Sequence, residues 1–231
     1  MKYIKFKTDK KTRILLISGA IGCWLFVLAS TIEGTIHIDY DPIRHPVSSL
    51  SLGELGWLHV ANFILLGLLI LGFAIGLRRS LQPSKDSILG SLFMGLVAIG
   101  LIGAGIFITD PDYGYPVNMP LLLGPNSIHG YLHEFFSLLI FLGLPVACFV
   151  LRHRFLTIGE PGWAAYSAFT GIAMLITFVL ASIGFKQTAH LEDFAGIYQR
   201  LSISLGSIWI TLLALHLIKI RRGIHRNKDR S

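Results

Sequence analysis

The chain has 231 residues, of which 53% are apolar and only 14% charged, where a soluble domain carries about 25% charged. With a mean hydropathy of +0.65, it has too little charge to cover a water-facing surface, which excludes a soluble enzyme and a disordered chain alike. The net charge of +7 does not point to nucleic acid as a partner, because the basic residues gather at the two chain ends, each against a long apolar run.

A basic segment, residues 1–13, opens the chain. Six apolar stretches follow, at about 14–32, 57–77, 87–108, 133–151, 163–185 and 201–218. Each approaches the roughly 20 residues that carry a helix across about 30 Å of hydrocarbon. Helix is required, since an open strand would leave backbone groups unpaired in lipid. A basic tail, 219–231, closes the chain. The predicted fold is an all-α integral membrane protein, with a six-transmembrane-helix bundle over 14–218. The first stretch outruns the apolar core of a signal peptide and is read as an uncleaved helix.

Segments 1–13, 78–86, 152–162 and 219–231 hold seventeen of the 20 lysines and arginines. The intervening segments hold only Arg44, Lys186 and Arg200. The positive-inside bias predicts an N-in, C-in protein of the plasma membrane, with membrane lipids as its partners. Cys23 and Cys148 lie inside apolar runs, so no disulfide framework is expected. Gly72 and Gly76, then Ser87, Ser91 and Gly95, repeat small residues every fourth position, a spacing that lets helices approach closely. The sequence carries no signal for oligomeric state.

No Asp, Glu, Lys or Arg falls in the middle third of a span. The acids sort to the predicted outer face: Glu33, Asp39, Asp41, Glu54, Asp110, Asp112, Glu134, Glu192 and Asp193. His37, His45, His59, His129, His133 and His190 follow them. The first outer segment contains D-Y-D-P-I-R-H-P-V-S-S-L-S-L-G, whose Asp41-Pro42 and His45-Pro46 steps force extended or turn backbone. There Ser48, Ser49 or Ser51 is placed to cap a short interfacial helix, ahead of Trp57 in the aromatic belt. Span three ends G-I-F-I-T-D-P, so Asp110 emerges at the lipid–water boundary. Span four opens S-I-H-G-Y-L-H, with Ser127 or Asn126 as N-cap. His129 and His133, four apart, share a helix face and with an acid such as Asp110 or Asp41 form a candidate zinc set. Asn62, three residues from His59, needs a partner at membrane depth. Arg200 is suited to a lipid phosphate or to one of the outer acids, the acid being preferred. His153, His216 and His225 read as solvated or snorkelling.

The strings H-P-V-S-S-L-S-L-G (45–53), G-W-L-H-V-A-N-F (56–63), G-I-F-I-T-D-P (105–111) and S-I-H-G-Y-L-H (127–133) resemble the bacterial and archaeal membrane proteins grouped as domain of unknown function 998. The resemblance spans roughly residues 14–218 and implies a six-helix membrane protein without an assigned activity. Its polar positions would fall here on His45, Ser48, Ser49, Asn62, Asp110, His129 and His133. A looser similarity is to the ceramidase and adiponectin-receptor type of membrane hydrolase. Those proteins use Ser, Asp and His with an HxxxH pair around zinc, and carry that pair in the last of seven helices, whereas here it opens the fourth.

Three functions follow as expectations. The preferred one is a lipid- or small-molecule-binding, sensing or transport-related protein, with Asp41, His45, Ser48, Asn62 and Arg200 as ligand contacts. The second is a zinc-dependent hydrolase of a lipid-like substrate at the outer leaflet. His129, His133 and Asp110 would hold the metal, and His45, Ser49 and Asp110 are its catalytic candidates. The third is a haem-binding electron carrier with His59 and His133 as axial ligands.

Overall fold

A computed structural model of the chain describes residues 9–81, 84–111, 115–116, 126–186 and 190–228, the last nine without their side chains. All six predicted spans are helices: α1 (Lys10–Ile36), α2 (Gly56–Ser80), α3 (Lys85–Ile106), α4 (Ile128–Thr157), α5 (Pro161–Phe185) and α6 (Ala195–Lys228). All six are long and apolar enough to cross a membrane, and no strand occurs among the described residues. Most run past the predicted spans, and polar side chains cap the starts of α1, α3 and α4. Asp9 accepts the Thr12 amide at the head of α1, and Ser84 and Ser87 cap α3 reciprocally.

Each helix packs on its neighbours in the chain, and α6 returns against α1, closing an up-and-down ring. The α2–α3 and α4–α5 connections therefore share one end of the bundle with the start of α1 and the end of α6. The ends of α1, α3 and α5 form the opposite, distal end.

The ring faces outward with apolar side chains that a soluble protein would bury. Trp24, Leu28, Leu68, Ile99, Phe169, Ile176 and Leu215 are among them, and together they form a surface suited to lipid. Inward residues are smaller or more polar. On α1 the buried residues Thr12, Leu16, Gly19, Cys23, Phe26, Ser30 and Glu33 recur every three or four positions, with Gly22 buried beside Cys23, one stripe of a helix. A Cβ on Gly76 would lie 2.9 Å from the Leu16 amide nitrogen, and Ser18 Oγ donates to the Leu69 carbonyl at 2.9 Å. The Gly72/Gly76 spacing thus serves the α1–α2 contact within the chain. On α3, Ser87 and Ser91 are buried, but a Cβ on Gly95 would meet nothing within 4 Å. The small-residue stripe ends one turn earlier than the spacing implied.

Candidate functional site at the distal end

The first distal segment is tied to the start of α6. Residues Val47–Ser51 make one short 3-10 turn, entered from Pro46 without a side-chain cap. The Ile197 amide donates to the Ile43 carbonyl at 3.1 Å. A Cβ on Gly196 would stand 2.7 Å from the Pro42 and His45 carbonyl oxygens and 2.8 Å from that of Ile43, so only glycine admits this approach. Arg200 donates to the Tyr40 hydroxyl at 2.5 Å, to the His45 carbonyl at 3.1 Å and to the Gly196 carbonyl at 3.2 Å. It also lies 5.6 Å from the Tyr40 ring centre. Its hydrogen bonds go to a phenol and a carbonyl of the docked loop and to a carbonyl of its own helix instead of to an outer acid, because the loop brings two acceptors to the guanidinium. The acid pair forms elsewhere, between Arg44 and Asp193 at 2.7 Å.

Within the docked loop Asp41 folds on itself. Its carboxylate accepts the Ile43 amide at 2.9 Å and its own amide donates to His45 Nδ1 at 2.9 Å. His45, Tyr40 and Tyr115 pack as three rings with centroids 5.3–5.6 Å apart. His37 Nδ1 and the Tyr115 hydroxyl share a hydrogen bond of 2.7 Å. Burial pushes Tyr115 up to about 12, with Tyr40 and Asp39 adding to the rise. Burial also raises Tyr40, against the opposing pull of Arg200. Burial lowers His37, with Glu33 pulling the other way. These groups are neutral at physiological pH and brace the loop.

Two histidines lie deeper. His59 is fully buried, and its Nδ1 meets Glu33 Oε2 at 2.5 Å. Phe26 and Phe63 pack against the ring, and its Nε2 is enclosed with no hydrogen-bond partner among the described residues. One turn further in, Asn62 donates to the Phe26 carbonyl at 3.3 Å and to Ser30 Oγ at 3.5 Å. Asn62 therefore ties α2 to α1. The second histidine, His133, places Nδ1 3.0 Å from the Ala104 carbonyl and 2.8 Å from that of Phe107. Both partners are acceptors, so Nδ1 carries the proton and Nε2 is left as an acceptor.

His133 lines a cavity of about 460 Å³ at the distal end. Its mouth carries Asp110, Asn126, Glu134 and Lys186; its walls include Ser48, Ser49, Ser137, Ser182 and Gln199; Leu138, Phe141, Phe178 and Phe185 make its apolar part. Asp110 is also the brace that starts α4. Its carboxylate accepts the Ser127 amide at 2.8 Å and the Ser127 hydroxyl at 2.6 Å, while Ser127 Oγ accepts the Gly130 amide at 3.0 Å. A Cβ on Gly130 would collide with that carboxylate.

The residues expected to share one site thus take separate tasks. Ser48, Ser49, Asp110 and His133 line the cavity; Asp41, His45 and Arg200 dock the loop beside it; Asn62 packs α1 on α2. His129 is exposed at the head of α4, 5.7 Å from the Phe107 ring, and does not line the cavity with His133. Among the described residues, no group of three or more His, Cys, Asp or Glu side chains is placed to hold a metal ion. At the other end, His153 is paired with Asp86 at 2.8 Å, and His216 packs 4.2 Å from the Trp163 ring instead of snorkelling. The His225 side chain lies outside the described ones.

Sequence reasoning did not find the Glu33–His59 pair, because Glu33 was placed one residue outside the first span. It also passed over Ser137, Gln199 and Phe178. The signal for Ser137 and Phe141 was their spacing, four and eight residues after His133 on one helix face.

The arrangement defines a class: a multi-pass helical membrane protein with a mixed polar and aromatic cavity at one end of its bundle. Residues 20–216 match the model of the family described as Protein of unknown function (DUF998), and the chain belongs to that family. No curated protein and no solved structure matches the chain.

Proposed function

We propose that this protein binds a small amphiphilic, lipid-like molecule in the cavity beside His133, on the extracytoplasmic side of the plasma membrane. The observation that carries the reading is the cavity itself. Its volume of about 460 Å³ falls within the range of roughly 300–1,000 Å³ usual for small-molecule sites. It joins hydrogen-bonding side chains to aromatic walls, as an amphiphile requires. The hydroxyls of Ser48, Ser49 and Ser137 line it, each able both to donate and to accept a hydrogen bond. The excess of lysine and arginine in the segments at the terminal end supports the orientation.

Ser48, Ser49 and His133 are the contacts we assign, with Asp110 fixing one wall. Asp41, His45 and Arg200 hold the loop that forms another. The test is thermal unfolding of protein in lipid nanodiscs against a panel of monoacylglycerol, fatty acid, lysophospholipid and diacylglycerol. Saturable stabilisation by at least one of them is expected, worth about 2.7 kcal/mol at a hundredfold excess over Kd. A flat response to the whole panel would sink the reading.

A further inference from the structure

The wide cavity does not end at its aromatic wall. A second, narrower cavity of about 80 Å³ lies inside the helix ring, and the two share Ser48, Ser137, Phe141 and Gln199 as lining. Beyond these four, the inner cavity is walled by Ser207 and by apolar groups from several helices, among them Cys23, Ile70, Val97, Leu144 and Ile210. From Gln199 to Ile210 its lining follows α6 for eleven residues, roughly 16 Å at 1.5 Å per residue. Pro145 sits within α4 and has no N–H to give the Phe141 carbonyl, so the junction carries a backbone acceptor without its helical donor.

We infer that the two cavities are one site, built for a single-chain amphiphile with an uncharged, hydrogen-bonding head. The head lies among Ser48, Ser137 and Gln199, and the chain threads past Phe141 into the middle of the ring. This rests on the binding function proposed above and names its ligand class.

Three observations select that class. At about 80 Å³ the inner cavity has no room for two acyl chains side by side, so a diacyl lipid stays in the bilayer. The groups at the junction are hydroxyls and an amide, which both donate and accept. Gln199 Oε1 already accepts the Val47 amide at 2.7 Å, leaving its NH₂ as a donor. At the mouth, two carboxylates (Asp110, Glu134) stand against one ammonium (Lys186), a formal charge of −1 that disfavours a phosphate or carboxylate head.

The experiment uses wild-type protein in nanodiscs, because an alkyl glycoside detergent is itself a ligand of this class. A monoacylglycerol with a diazirine at its chain terminus is photoactivated and the adducts are mapped by mass spectrometry. Expected are adducts on Cys23, Ile70 or Ile210 that unlabelled monoacylglycerol suppresses. A fatty acid or lysophosphatidate of equal chain length should need at least tenfold more to compete. A Ser207→Phe variant, which fills the inner cavity, should lose long-chain labelling while an octanoyl glycerol still competes at the mouth. Saturable adducts confined to Leu138 or Phe178 would overturn the threaded chain and leave the proposed binding function standing. Equal competition by the anionic amphiphiles would overturn the uncharged head. No saturable adduct from any probe would remove both.

Discussion

Two regions of the distal end place a buried histidine beside polar partners, and they use it oppositely. In the α1–α2 packet, His59 meets a carboxylate, two phenylalanines close over it, and neither member of the pair lines either of the two cavities described. Beside α4, His133 meets only carbonyls, and its ring opens on a cavity of about 460 Å³. The pairing that looks most like catalytic chemistry is therefore sealed. The accessible site keeps its charged groups, Asp110, Glu134 and Lys186, at the mouth and lines its walls with neutral hydrogen-bonding side chains. In the sealed packet the carboxylate is taken up by the histidine, whereas in the cavity the walls are left with groups that can bond an occupant.

The comparison breaks most directly at Glu33. Replacing it by leucine leaves His59 buried with neither nitrogen partnered. Removing one member of a buried pair costs about 3–5 kcal/mol. For a chain of this size, Glu33→Leu should lower Tm by roughly 10 °C, and the double variant Glu33→Leu/His59→Leu should recover most of the loss. Monoacylglycerol labelling per folded molecule should be unchanged in both. An unaltered Tm together with lost labelling would reverse the roles of the two regions.

How far each region was legible in sequence follows from the same physics. The helices were, because lipid demands about 20 apolar residues and an internally satisfied backbone. Asp110 and Ser127 could be read as elements of a helix start, but not as partners, since they lie 17 residues apart across a loop. Glu33 stands in the same three-and-four spacing as Phe26 and Ser30, yet its charge marked it for solvent. Only the second helix, bringing His59 alongside, makes its burial tolerable. The zinc set rested on a helix face shared by His129 and His133. That face straddles the boundary at the head of α4, leaving one imidazole exposed and the other buried. The cavity could not be read at all, because ring closure by α6 against α1 is a property of the packed bundle.

A smaller effect should follow from the brace at α4. Asp110→Ala removes the acceptor of the Ser127 amide and hydroxyl, a capping interaction worth about 1–2 kcal/mol. Asp110→Asn keeps one acceptor and should lose less. Gly130→Ala should act like Asp110→Ala, because the added methyl displaces the same carboxylate. Tm for the three variants should fall in that pattern, and labelling should weaken with it, since the brace shapes the cavity wall. A Gly130→Ala protein indistinguishable from wild type would show that the brace has slack.

Ser137 sharpens the other side of the comparison. Its hydroxyl makes no hydrogen bond to another described residue, so Ser137→Ala should change stability by no more than about 0.5 kcal/mol. If the hydroxyl bonds the ligand head, monoacylglycerol affinity should drop about five- to tenfold, the equivalent of one hydrogen bond. Unchanged affinity in titrations with the unlabelled probe would move the head away from this turn of α4.

The smallest effect is at His37, between the two regions. Burial holds its imidazole below the ordinary value of 6.5, the nearby Glu33 opposing and His59 adding to the fall. The folded chain therefore binds this proton less readily than the unfolded chain does. The stability it permits is complete above the ordinary value and declines as pH falls through it toward the lower folded value. Tyr115, pushed up to about 12, stays protonated throughout and does not titrate in this window. Wild type should thus lose more Tm than His37→Gln between pH 7.5 and 5.5, by a degree or two because the ring is only half-buried. A larger loss in the variant would mean that the folded loop prefers charged His37, with Glu33 outweighing burial.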